Sequence, residues 1–319
     1  MIKNLLIENF KSIKKLEIEC SRVNLFIGDP NVGKSNILEA LSFPAIQLVF
    51  YIDKLMRCND LSNLFYENDL SNSIIVNLDE LKSKMTYEKG NVKLDFSSPN
   101  LSREMSSSLR DKEFRNGVHW SFKVHPYFFK SLRNFPELDH DYLSVPNGDN
   151  LFLMLQTNKD LRKKINRLIG DVGFKLALRQ STHEVEIFKE EEGAVITYPY
   201  SIISDTLQRL IFFISAIETN KPGSTLILEE PESNVFPYYT KFLAEKIAYD
   251  SEKQYFITTH NPYFLQSIIE KTPTVDLKVN LVKMQDFQTK VISLSERGKE
   301  EILDLNSDVF LNFDKLLEA

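Results

Sequence analysis

Eight consecutive residues, Gly28-Asp29-Pro30-Asn31-Val32-Gly33-Lys34-Ser35, constrain this chain more than any other stretch. They follow the apolar run VNLFI at 23–27 and precede Ile37, Leu38 and Leu41 at helical spacing, with Pro44 near the end. The pattern G-x-x-x-x-G-K-S between a predicted strand and a predicted helix makes a phosphate cradle. Gly28 and Gly33 let the backbone pass close to an anion, and the N–H groups of the loop, Asn31 included, aim inward. The helix beginning near Gly33 adds its positive dipole end. Lys34 supplies a cation for β- and γ-phosphates, and the Ser35 hydroxyl can ligate Mg²⁺.

Two further motifs point to the same chemistry. The run TLIL at 225–228, after Pro222 and Gly223, suits a buried parallel strand. It ends in Glu229 and Glu230, at the carboxyl edge where α/β sheets bind ligands. Glu229 reads as the Mg²⁺-side carboxylate, directly or through a metal-bound water. Glu230 reads as the group that orients and polarises an attacking water. The strand QYFITT at 254–259 ends at His260, which can reach the same edge and hydrogen-bond the γ-phosphate or the water.

These three motifs, with the opening LLIENFKSI, resemble the ABC-type ATPases of the SMC, RecF and overcoming-lysogenization-defect (OLD) group. Within it the resemblance is closest to the short OLD-like AAA ATPases of bacterial antiphage defence systems. IGDPNVGKSNILEALSF resembles the Walker A segment, LILEEPESNVFP the Walker B segment and ITTHNPYFL the H-loop. The resemblance covers about 1–45 and 195–270. It implies an α/β fold, an ABC-type P-loop NTPase with a mixed central sheet plus a mainly helical insertion. The ATPase domain is expected from 1–50 and 171–319, with 51–170 inserted. It makes Glu230 the catalytic glutamate and His260 the switch histidine. It also implies a signature loop that meets the γ-phosphate of a second subunit. Ser204, opening the helix predicted over 204–219, is the candidate for that contact in trans, although no Gly follows it as the family pattern asks. A plain helix N-cap is the other reading of Ser204. No Q-loop residue is assigned: Gln47 lies too close to the P-loop helix, and Gln156 stands in a stretch without legible periodicity.

The rest of the chain adds organisation. Strands are predicted at 2–8 and 16–20, a hairpin at 184–188 and 194–198, a helix near 237–249 and another from Pro262 to Ile269. Two strands, LKVNLVKM and TKVISLS, and terminal helices close the chain. Residues of about 45–170 read as mainly helical and irregular. Within them, Lys159, Arg162, Lys163, Lys164 and Arg167 form a basic stretch, either a solvated helix face or a phosphate contact. Lys11 and Lys14 lie in the first strand corner. The aromatic run VHWSFKVHPYFFK at 118–130 is a candidate partner-docking surface or packed core.

Composition narrows function. A formal charge of −6 disfavours a polycationic nucleic-acid binder. Cys20 and Cys58 have no metal-like spacing and read as reduced thiols. No run approaches the roughly 18 apolar residues of a membrane helix, so a cytoplasmic protein without membrane contact is expected. The TOPRIM nuclease domain of longer OLD proteins is not expected after the ATPase motifs. The expectation is therefore an ATP- and Mg²⁺-dependent ATPase acting as a head-to-tail homodimer or higher oligomer. Its two states would control a separate effector protein, a nuclease or toxin, in antiphage defence. A RecF-like DNA-binding repair ATPase is the alternative, and a nucleotide-sensing scaffold with little turnover a second one.

Overall fold

The computed structural model describes residues 1–49, 51–99, 101–114, 123–136 and 141–318. In chain order the elements are β1 (Asn4–Phe10), β2 (Ile13–Glu19), β3 (Val23–Ile27), α1 (Lys34–Leu41), β4 (Ile74–Leu78), β5 (Leu81–Glu88), β6 (Asn91–Ser98) and β7 (Leu101–Ser108). There follow β8 (Val124–Tyr127), α2 (Leu151–Thr157), α3 (Lys159–Gly170), β9 (Lys175–Arg179), β10 (Glu184–Glu191), β11 (Ala194–Pro199) and α4 (Asp205–Thr219). Last come β12 (Thr225–Glu229), α5 (Pro237–Tyr249), β13 (Gln254–Thr258), α6 (Pro262–Lys271), β14 (Leu277–Gln285), β15 (Gln288–Ser293), α7 (Glu296–Leu305) and α8 (Phe313–Glu318). The chain divides into two units. The first comprises Met1–Pro126, Gly223–Glu230 and Ala244–Ala319; the second comprises Tyr127–Pro222 and Pro231–Leu243.

The first unit is built on two sheets. One has the order β15-β14-β3-β13-β12-β8 and is mixed. The neighbours β14–β3, β3–β13 and β13–β12 are parallel, while β15 pairs antiparallel to β14. The five residues of β3 and the five of β13 are all buried, as apolar runs covered on both faces must be. The other sheet, β2-β1-β4-β5-β6-β7, is antiparallel throughout. Helix α1 packs against β12 and β13 of the first sheet and β1 and β4 of the second. Its Ile37, Leu38, Ala40 and Leu41 are buried, so the helix is clasped by both layers.

The second sheet corrects the expected helical character of 51–170. Residues 74–108 form four strands that continue the β1–β2 ribbon within the first unit. Ile74, Val76 and Leu78, then Leu81, Ser83 and Met85, then Val92, Leu94 and Phe96, are buried at every second position. That period of two belongs to a half-buried strand, not to a helix. Lys89 and Gly90, with φ of 49° and 90°, close the β5–β6 hairpin in the left-handed region that such two-residue turns require. Elsewhere the elements around the three motifs lie where periodicity places them, including β3 at 23–27 and the β10–β11 hairpin.

The second unit combines the sheet β11-β10-β9 with α2, α3 and α4, which pack on one another. In the described part of the aromatic run Val124 to Tyr127 are buried: Tyr127 is fully buried and meets Phe212 edge-on at 6.0 Å. Phe129 meets the same ring at 5.6 Å, with the Arg209 guanidinium 4.5 Å above it. Residues 118–122 of that run lie outside the described residues. The basic stretch is also largely engaged. Arg162 donates to the Leu155 carbonyl at the end of α2 (2.7 Å), Lys163 pairs with Asp160 (3.5 Å), and Lys164 pairs with Glu218 of α4. Among the described residues no helix is long and apolar enough to cross a membrane.

One buried cation ties the parallel sheet to its helical cover. Arg22, just before β3, is 6% exposed and donates to the carbonyls of Ile247 (3.3 Å), Ala248 (2.8 Å) and Asp250 at the end of α5. A helix end leaves its last carbonyls short of intrahelical partners; the Ile247 carbonyl accepts from the Asp250 N–H as well, at 3.3 Å. Replacing Arg22 with Met should lower unfolding stability by roughly 2–3 kcal/mol, the cost of stranding buried acceptors once bonded to a charge. Urea denaturation measures it, and a loss below about 0.5 kcal/mol, the scale of an ordinary surface change, would contradict the role.

Candidate functional site

The loop between β3 and α1 is shaped by what lies behind it. Its backbone enters the left-handed region at Asn31 (φ 63°) and Gly33 (φ 97°). A Cβ on Gly28 would come within 2.2 Å of the Val282 carbonyl oxygen of β14. One on Gly33 would come within 2.0 Å of the Thr289 hydroxyl of β15. Close approach, as much as backbone freedom, therefore demands both glycines. Thr289 Oγ1 donates to the Val32 carbonyl (2.9 Å) and accepts from Ser12 Oγ (2.7 Å). Ser12 in turn accepts from Asn36 Nδ2 of α1 (2.7 Å). The loop is thus hydrogen-bonded from the rear while its front faces a cleft.

Lys34 opens α1 directly after the Gly33 N-cap. The sequence suggests an exposed charge facing a ligand. The structure corrects this: Lys34 is only 6% exposed, and Nζ donates to the carbonyls of Gly28 (2.8 Å) and Asp29 (2.6 Å). The ammonium folds back into its own loop because the loop carbonyls are the nearest acceptors. Burial pushes its pKa down to about 8, against the opposing pull of Glu230 and Asp29.

The opposite wall comes from β12 and β13. Their parallel register pairs Glu229 with Thr258. The next peptide bends: Glu230 has φ 41°, and its N–H donates to the Thr258 carbonyl at 3.1 Å. That bend sets the Glu230 carboxylate beside the ring of His260, two residues beyond β13, with Nε2 to Oε1 at 3.2 Å. Burial, and then the charge of Lys34, hold the imidazole below its usual 6.5, partly opposed by Glu230 and Asp29. A neutral ring at pH 7 donates this hydrogen bond from Nε2–H to the carboxylate.

A cleft of about 390 Å³ is bounded by Asn31, Gly33, Lys34, Ser35, Glu230 and His260, together with Asn36, Thr258 and Arg57. Six of the sequence candidates therefore share one cavity. Gly28 reaches it through the Lys34 hydrogen bond. Glu229 sits at its border, with Oε1 3.9 Å from Arg57 Nη2. Ser204 lies in the second unit and N-caps α4, accepting from the Leu207 N–H at 3.4 Å. Gln47 and Gln156 do not line the cleft; their side chains donate to the Pro44 carbonyl (2.9 Å) and Gln180 (2.7 Å). Arg57 was invisible to sequence reading because it stands in an irregular segment of short turns, with no periodicity or motif around it.

A family model described as "AAA domain, putative AbiEii toxin, Type IV TA system" matches residues 23–266. The chain belongs to this family. The match begins at the first residue of β3 and ends within α6, so it holds the glycine loop, both glutamates and His260. No curated protein matches the chain. Among solved structures, an Smc head bound to the C-winged helix domain of ScpA aligns with TM-score 0.55 and 16% identity, over 94% of this chain and 99% of that one. The Smc head domain with a coiled coil and joint from Pyrococcus yayanosii aligns with TM-score 0.53 and 12% identity, over 95% and 99%. The recombination mediator RecF with ATP aligns at TM-score 0.46 and 12% identity, over 92% and 99%. The fold of this chain is that of the Smc heads, an ABC-type P-loop α/β fold.

The electrostatics of the cleft can be read from His260. Its ring should titrate below 6.5 in an NMR pH series of the ligand-free protein. Lys34→Met should raise that value by removing a repelling charge, and Glu230→Gln should lower it by removing an attracting one. An unchanged value in both variants would mean that neither group faces the ring.

Proposed function

We propose that this chain binds ATP with Mg²⁺ and hydrolyses it. The observation that carries the reading is the Glu230–His260 pair set in the same cleft as the glycine loop and Lys34. An anion cradle alone would bind a phosphate; a carboxylate and an imidazole in one cavity with it can act on an incoming water.

The roles follow from position. The loop N–H groups and the N-terminus of α1 receive the phosphates. Lys34 exchanges its carbonyl partners for phosphate oxygens, a change that favours its charged form. The Ser35 hydroxyl and Glu229 carboxylate are hard oxygen donors of the kind Mg²⁺ takes. No group of three acidic, His or Cys side chains gathers among the described residues. A cation there would draw its remaining ligands from water and phosphate, which is the habit of Mg²⁺. When bound, it would neutralise phosphate charge. Glu230 accepts a proton from the water whose oxygen attacks the γ-phosphorus, and ADP departs with the bridging oxygen. His260, donating to Glu230, holds that carboxylate in place and can turn Nε2–H towards the γ-phosphate.

We place this site in a head-to-tail homodimer in which Ser204 and the N-terminus of α4 meet the partner's ATP. A two-fold axis would complete two identical sites together. Closure would shift with ATP only by the difference in affinity between closed and open states. The biological role follows as control of a separate effector, as in OLD-like antiphage defence. The family description, which names a toxin of a type IV system, supports a role in such conflict systems. Direct gripping of DNA has less support, given the charge of −6 and the internal pairing of Arg162, Lys163 and Lys164.

Glu230→Gln should keep ATP affinity and slow hydrolysis by about 10²–10⁴-fold, the range of a positioned general base. Normal turnover in that variant, with Glu229→Gln inactive, would reverse the two assignments. Lys34→Ala should abolish nucleotide binding, read by calorimetry, and retained affinity would reject the phosphate loop. Mixing inactive Lys34→Ala with inactive Ser204→Arg should restore partial ATPase activity, since one of the two mixed sites then has both halves intact. Heterodimers that form without recovery would place Ser204 outside the site.

A further inference from the structure

We infer that Glu39, held by Lys11, is a positioning residue that fixes the direction of Arg57 in the cleft. Glu39 lies on α1 beyond the glycine loop and is 4% exposed, a burial that a carboxylate tolerates only when its oxygens are engaged. Both are. Oε2 accepts from Lys11 Nζ, and Oε1 accepts from Arg57 Nε at 2.7 Å. Lys11 also donates to the backbone carbonyl of Arg57 at 2.8 Å, so residue 57 is gripped at its main chain and at its guanidinium by one buried ion pair. Lys11 itself is anchored, with φ 49° in the β1–β2 corner and its N–H donating to the Leu64 carbonyl at 2.9 Å.

Neighbouring packing does little to hold the Arg57 side chain, which is 68% exposed. Because Glu39 takes the Nε edge, the Nη edge is turned to the cleft, where Nη2 stands 3.9 Å from Glu229 Oε1. A long exposed arginine otherwise samples many rotamers, and ordering it on an anion costs affinity; the clamp removes that cost in advance. Glu39 touches no ligand in this scheme and acts only through Arg57. A carboxylate serving stability alone would need Lys11 but not the guanidinium of a cleft residue.

The inference rests on the reading of the cleft as an ATP site. The test is a double-mutant cycle on the full chain, with a fluorescent ATP analogue and Mg²⁺ as the probe and thermal melting as the check on folding. The neutral pair Lys11→Gln/Glu39→Gln avoids leaving one buried charge without its partner. It should weaken binding about tenfold, the scale of a hydrogen bond to a charged group. In an Arg57→Ala background the same pair should change affinity by less than about twofold, within the usual error of such cycles. Equal weakening in both backgrounds, or none in either, overturns the clamp. Should the neutral pair not fold, Glu39→Gln alone, which retains an acceptor for Lys11, runs the same cycle. If the unsubstituted protein does not bind the analogue, the nucleotide reading falls and the clamp with it. Binding with an additive cycle removes the clamp alone.

Discussion

The contact between Gly33 and the Thr289 hydroxyl is the constraint around which the site is arranged. A methyl group on residue 33 would sit 2.0 Å from that oxygen, so β15 can press directly on the loop only because the side chain is absent. Thr289 then bonds the Val32 carbonyl from behind, and Ser12 and Asn36 extend the chain of bonds to the β1–β2 corner and to α1. The rear carbonyls and hydroxyls are satisfied by one another. A loop built this way holds the concave shape needed for phosphate before any phosphate arrives, and pre-organisation lowers the cost of binding.

The same economy governs the charges. Three buried charges of the first unit are committed to named partners. Lys34 bonds two carbonyls of its own loop, Glu39 holds two cations, and Arg22 serves a helix end. Glu230 and His260 differ because they are half-exposed, they face the cavity, and their mutual hydrogen bond can be exchanged for one to a ligand. That contrast separates groups that hold the fold from groups suited to chemistry.

Much of the site was legible from residues because its motifs are local. Gly28 to Ser35 form one loop and the start of one helix, Glu229 ends one strand with Glu230 directly after it, and His260 stands two residues beyond the next. Their convergence needed only the general habit of α/β sheets to bind ligands at the carboxyl ends of parallel strands. What escaped was non-local or weakly periodic. The strands at 74–108 carry an alternation, but interspersed Ser, Thr, Lys and Asp lower its contrast, and the sequence alone suggests helix there. Arg57 had no local signal at all, since its place in the cleft depends on Glu39, eighteen positions earlier in the chain.

By itself the sequence determined the candidate groups: a glycine loop ending in Lys34 and Ser35, two carboxylates behind an apolar run, and a histidine after the next strand. Residue type and spacing suffice there because each motif is set by short-range backbone geometry. Only the tertiary structure decided the ionisation and the reach of those groups. Lys34 is pushed to about 8 because its neighbourhood is buried, and His260 is held below its usual 6.5 first by burial and then by the charge of Lys34. Arg57 enters the cleft because a helix, a strand corner and an irregular segment meet at one carboxylate. Desolvation and the field of neighbouring charges are properties of packing in three dimensions, and no local spacing encodes them.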